Sequence, residues 1–195
     1  MRYDKGHKET TRRRIVETAA REFRLRGIGG IGIAELMQKA GLTHGGFYSH
    51  FGSKDELVVA ALHEAFAQSR AHLPSAGVEG GLEMLVRYYL SPAHRDCSDG
   101  GCAAAGLVGG MAQESEAAGE VFSSNLQVSL TLIAALLPDT FSAQSRQKTA
   151  AALFATLVGA LQLARATVNA DPAASQQILD AGIEGALTLA RMPQG

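Results

Sequence analysis

The run Thr43-His44-Gly45-Gly46-Phe47-Tyr48 combines hydroxyl, imidazole and phenol groups with two consecutive glycines inside a short helical pattern. Glycine in a helix costs up to about 1 kcal/mol against better helix formers, so a glycine pair in a first turn calls for a reason. One reason is that a bare backbone lets another surface approach closely, and an exposed helix N-terminus favours phosphate. The other is packing: the glycines would relieve crowding against the first helix.

A second group is His94-Arg95-Asp96-Cys97-Ser98-Asp99-Gly100-Gly101-Cys102. Cys97 and Cys102 can be read as a redox pair, or with His94 as three metal ligands. Zinc motifs space cysteines by two to four intervening residues and supply four ligands; only three lie here, so no metal is expected. A nucleophile and base drawn from Cys102 and His94 would lack an acid to orient the histidine and any oxyanion feature, so no enzyme is expected. Cys102 as a small buried hydrophobe is the simplest reading. No residue pattern calls for a cofactor.

These groups sit in an uneven field. Residues 1–54 hold 11 Lys/Arg against 5 Asp/Glu, a net of +6, while the remaining residues hold 7 against 14, a net of −7. Such asymmetry joins a basic module suited to polyanions to an acidic body. A solvated basic helix without a partner would carry the same charges. The N-terminus is polar, with no signal-peptide pattern. The mostly apolar stretches near 130–137 and 150–161 are too short to span a bilayer. A cytoplasmic protein without membrane contact is expected.

The elements that position these residues all read as helices, because Ala, Leu, Glu, Gln and Arg dominate and no segment alternates. Residues 1–9 are expected to be polar and disordered. Thr10 or Thr11 would cap a first helix that buries Ile15, Val16, Ala19, Ala20 and Phe23 and stops at Gly27. A glycine-rich turn leads to a second helix over Ile33–Ala40, with Gly41 as its stop. Thr43 would cap a third helix running through Phe51, where Phe47 and Phe51 face the core. Ser53 and Glu56 form a capping box that launches a long helix to about His72, ended by Pro74. Further helices are expected near 80–91, 102–115, 118–137, 143–169 and 173–191, with Pro172 at a first helical position after Asp171.

Two short helices joined by a glycine-containing turn, behind a longer first helix in a basic region, describe a helix-turn-helix whose second member lies in the major groove of DNA. The stretch from Ala40 to Leu57, with its Phe47-Tyr48-Ser49-His50-Phe51 core and Ser53-Lys54-Asp55-Glu56-Leu57 cap, resembles the signature of the TetR/AcrR family of bacterial one-component regulators. The resemblance covers roughly residues 10–60. It implies that Thr43 and His44 face the major groove, with Gly45 and Gly46 beside them. It also implies that Tyr48 and Lys54 contact phosphate and that His50 lies at the DNA backbone or groove edge. Many relatives begin the second helix with Thr or Ser, where this chain has Gly32, so weight shifts to Thr43, His44 and the basic N-terminus with Arg12, Arg13 and Arg14.

The expected fold is all-α, with an N-terminal three-helix DNA-binding domain over 1–54 and a larger helical ligand-binding and dimerisation domain over 55–195. The last two helices carry long apolar faces with small residues interspersed, which suits a four-helix bundle between two subunits. By likeness to the family, a small-molecule effector would lie among Met84, Tyr88, Leu107, Met111, Phe122 and Phe154, any of which could equally be plain core. The resemblance implies a homodimeric repressor on a palindromic operator, released by that effector. A helical adaptor for another protein is the competing reading, and it leaves the basic N-terminal skew unexplained.

Overall fold

The computed structural model describes residues 5–71, 79–97 and 99–191. The expected Pro74 stop and linker lie outside them, as do Ser98 and the first four residues. Among the described residues there are helices and no strand, so the all-α expectation holds. The chain divides into two compact units, 1–69 with 99–125, and 70–98 with 126–195.

The first unit opens with α1 (Lys5–Arg26), which starts earlier than the threonine caps predicted. The hydroxyls of Thr10 and Thr11 instead donate to the carbonyls of Gly6 and His7, one turn back inside the helix. Ile15, Ala19, Ala20 and Phe23 are sealed on its inner face, at the i, i+4, i+5, i+8 spacing that put them there in the sequence. Gly27 ends α1 with φ +75°, a conformation that side chains rarely adopt. α2 (Ile33–Lys39) follows behind Gly32, which caps it without a side-chain bond, as expected. Gly41, at φ +69°, turns the chain back so that Leu42 N–H reaches the Met37 carbonyl at 2.8 Å.

α3 (Lys54–Arg70) begins on the capping device read from the sequence, with a variation. Ser53 Oγ accepts from Glu56 N–H at 3.1 Å, while the Glu56 carboxylate accepts from Gly52 N–H, one residue before the usual position. Arg24, buried on α1, donates to the carbonyls of Ala65 and Asp99 and to Gln68 Oε1, tying α1 to α3 and to the 99–100 turn. Ser69 Oγ accepts from Ala103 N–H at 2.8 Å and so caps α6 (Ala103–Leu107) from a neighbouring helix. The helix expected near 102–115 is therefore two pieces, α6 and a 3₁₀ helix over Val108–Gln113, where Gly109 and Gly110 weaken the α-helical register.

The second unit contains α4 (Gly81–Tyr89), α5 (Pro92–Asp96), α8 (Ala143–Thr167) and α9 (Pro172–Leu189); α7 (Glu116–Ala134) begins in the first unit and ends in the second. The sequence reading used Pro92 only as a break. Here it is the first residue of α5, with Ser91 Oγ accepting from His94 N–H. Arg165 donates to the carbonyls of Arg95 and His94 and satisfies the end of that short helix. Asp171 caps α9 through Ala174 N–H, with Pro172 where it was expected. A Cβ on Gly182 would lie 2.7 Å from Ala160 Cβ, so glycine sets the close α8–α9 approach. α8 runs unbroken for 25 residues, and by length and composition alone it would suffice to cross a membrane, a property that the core helices of folded domains share.

Candidate nucleic-acid interface

The third helix of the sequence reading is a 3₁₀ helix, His44–Ser49. Gly46 N–H bonds the Thr43 carbonyl three residues back, and the glycine pair leaves no i+4 register strong enough to hold an α-turn. Thr43 occupies the cap position, extended at φ −82° and ψ 150°, but its hydroxyl makes no capping bond. That hydroxyl is thus not consumed by the helix it precedes.

Anchoring falls to the phenylalanines. Phe47 is fully buried and its ring stacks on that of Phe51 at 5.6 Å and 24°. With Phe47 inward, the other side of the short helix turns to solvent. Thr43, His44 and Gly45 are exposed, and Tyr48 is 64% exposed. The His44 and Tyr48 rings meet edge to face at 6.1 Å, and Tyr48 meets Phe47 likewise at 5.2 Å. The polar rings therefore stand on an aromatic base rather than swinging free.

Crowding does not explain the glycines. A Cβ on Gly45 would meet nothing within 4 Å, and one on Gly46 would make ordinary contacts of 3.7 Å with Met37 Cε and Thr43 Oγ1. Neither needs to be glycine for the chain's own packing.

Gly46 and His50 are half-buried, as is Lys54. Lys54 Nζ donates to the carbonyls of Ile28 at 2.9 Å and Ile31 at 3.1 Å, stitching the start of α3 to the turn before α2. An ammonium has three N–H groups, so one is left over. His50 has its Nδ1 buried with no hydrogen-bond partner among the described residues. Burial pushes its pKa below the usual histidine value, and the positive charges of Lys8, Arg12 and His7 add to the effect. His7 and Lys8 belong to the first turns of α1, within the residues 1–9 that were expected to be disordered. Arg12 lies over the Phe51 ring at 4.6 Å and 3.5 Å from Glu56. The structure thus adds His7 and Lys8 to the basic group around His50.

The six residues expected around an effector divide between the units. Leu107, Met111 and Phe122 fall in the first, and Met84, Tyr88 and Phe154 in the second. Leu107 and Phe154 are buried and Met111 and Phe122 half-buried, while Met84 and Tyr88 are exposed. His94 is buried with its Nδ1 2.7 Å from the Tyr89 carbonyl. Among the described residues no three His, Cys, Asp or Glu side chains are grouped to hold a metal ion.

Comparison with known proteins agrees with the local geometry. The profile of "Bacterial regulatory proteins, tetR family" matches residues 15–61. The chain is 37% identical over 76 residues to the HTH-type transcriptional regulator TtgR of Pseudomonas putida, covering 39% of this chain and 36% of that one. It is 28% identical over 100 residues to the HTH-type transcriptional repressor NemR of Escherichia coli, half of each chain. The matched region spans only about a third to a half of these relatives' length. In fold the likeness runs further. The crystal structure of reduced E. coli NemR superposes with a TM-score of 0.75 at 22% identity over 92% of this chain and 96% of that one. A TetR transcriptional regulator from Chloroflexus aurantiacus gives 0.75 at 23% identity over 96% and 97%. The match at the helix-turn-helix and the related sequences agree that residues 15–61 form the DNA-binding segment characteristic of the tetR family of bacterial regulatory proteins, and the whole chain shares the fold of these solved regulators.

Proposed function

We propose that the protein is a sequence-specific DNA-binding transcriptional regulator, acting as a homodimeric repressor that a small-molecule effector releases from a palindromic operator. The observation that carries this reading is the face around the 3₁₀ helix: Thr43, His44, Gly45 and Tyr48 exposed above a buried Phe47. Thr43 and His44 read base edges. Gly45 and Gly46 admit the backbone to the groove, which accounts for glycines that the chain's own packing does not need. Tyr48, His50 and the third N–H of Lys54 take phosphates. The module that does this is the one expected over 1–54, with α3 leading from it.

The dimer in this reading forms through α8 and α9. Ala151, Ala155, Gly159 and Leu163 lie along one exposed side of α8, and Leu163 is 60% exposed. Small residues with one large apolar side chain suit close packing against another helix. The apolar length of α8 has its use in that contact. The effector in this reading is taken up by the helices that follow α3.

Selection of bound duplexes from random DNA, followed by titration of the best at several salt concentrations, tests the reading. Enrichment of an inverted repeat, with affinity falling steeply as salt rises, is expected. Recovery of no common sequence would contradict it.

A further inference from the structure

Within the first unit, a cleft of about 450 Å³ is lined by Arg14, Arg21, Arg24 and Lys39 together with Gln68 and the 99–100 turn. From the shape and charge of this cleft we infer a binding site for a small molecule carrying at least two carboxylate or phosphate groups. This rests on no assumption about DNA.

Arg14 and Arg21, with Thr18 between them, lie on one stripe of α1. Seven residues of helix separate the two arginines by about 10 Å, a span suited to a ligand with anionic groups at both ends. The cations are held in place from beneath. Glu22 is only 2% exposed, and its two oxygens lie 3.2 Å from Arg21 Nη2 and 3.2 Å from Lys39 Nζ. That single carboxylate accepts a hydrogen bond from Arg21 and draws Lys39 toward it as an ion pair, and it uses one of the five Arg21 N–H groups. Arg24 forms part of the wall, its guanidinium spent on Asp99, Ala65 and Gln68. Arg14 has no ion-pair partner among the described residues. Glu17, one of the two carboxylates on the lining, is engaged by Arg13 at 3.6 Å, and Asp99 is the other. Four cations stand against three carboxylates, Glu17, Glu22 and Asp99, and with Arg21, Arg24 and Lys39 already engaged an anion has fewer side chains to order on binding.

The test uses the full chain without DNA, titrated calorimetrically with pyrophosphate and, separately, with citrate. One saturable site per chain is expected. Arg14→Gln should weaken it at least fivefold and Arg14→Lys much less, while the ligand-free thermal midpoint of both variants stays at the wild-type value, because Arg14 supports nothing else. Lys148→Gln, an exposed cation on α8, should leave binding unchanged. Tighter binding of pyrophosphate would assign a phosphate ligand, and tighter binding of citrate a carboxylate one. No saturable heat with either anion, or equal affinity in wild type and Arg14→Gln, would overturn the inference. Neither result would bear on DNA binding.

Discussion

At the scale of single residues, Gly45 separates folding from function most cleanly. A methyl group there meets open space, and alanine is the better helix former. Gly45→Ala should therefore leave stability unchanged or raise it by up to about 1 kcal/mol. The same change should weaken operator binding, because the methyl group enters the space left for DNA. Chemical denaturation and duplex titration on one preparation check both halves. Lys54 behaves differently because it already serves the fold. Lys54→Ala loses two hydrogen bonds to carbonyls, about 1–2 kcal/mol in sum, and should also make the salt dependence of binding shallower by about one unit per subunit. A variant that loses stability but keeps the salt slope would confine Lys54 to holding the turn.

His50 adds a pH dependence with opposite signs in two experiments. Its pKa is lowered in the folded chain, chiefly by burial, so the unfolded chain takes up the proton more readily. Its contribution to stability is then whole above the ordinary histidine value, declines as pH falls through it, and levels off below the folded value. A phosphate beside the ring favours the protonated form instead. DNA affinity should rise over the same fall in pH, and His50→Gln should flatten both profiles. These residues were singled out by the resemblance of the 40–57 stretch to the TetR/AcrR signature. Their environment was not legible there, since the orphaned Nδ1 of His50 and the double role of Lys54 depend on which carbonyls and cations the fold brings alongside.

At the scale of elements, legibility followed the strength of local signals. The helix-turn-helix order, the Ser53 cap, Gly41 and the Asp171-Pro172 start all rest on chemistry confined to a few neighbouring residues. Three elements depart from that reading. α1 begins before its threonines, α6 takes its cap from Ser69 on another helix, and α5 begins at a proline that looked like a stop. The cap of α6 comes from a partner that short-range pattern does not reveal, whereas the Ser91-Pro92 start of α5 uses the same local device as Asp171-Pro172 and was passed over. The close α8–α9 contact at Gly182 belongs here too. Gly182→Ala would place a methyl group 2.7 Å from Ala160 Cβ and should destabilise the second unit by about 1–3 kcal/mol. Ala160→Gly in the same chain should restore part of that loss, which paired denaturation curves can measure.

At the scale of the whole molecule, the charge division noticed in the sequence acquires a purpose. The basic residues collect on the segment that carries the helix-turn-helix, while the longest helix, α8, has small residues along an exposed side, where the proposed dimer would form. Leu163→Glu should convert the dimer to monomers in sedimentation and, by losing the second half-site, lower operator affinity by about a hundredfold or more. The effector region was the least legible part, because apolar side chains in the middle helices look alike in sequence whether they fill a core or face a ligand. The account as a whole stands on the exposed face of the 3₁₀ helix reading DNA. Its most direct test is the affinity of wild type and of His44→Ala for the best selected inverted repeat and for a scrambled duplex of equal length. Wild type should prefer the repeat by about a thousandfold or more, and His44→Ala should lose much of that preference while binding the scrambled duplex as before. Equal affinity of wild type for the two duplexes would contradict the account.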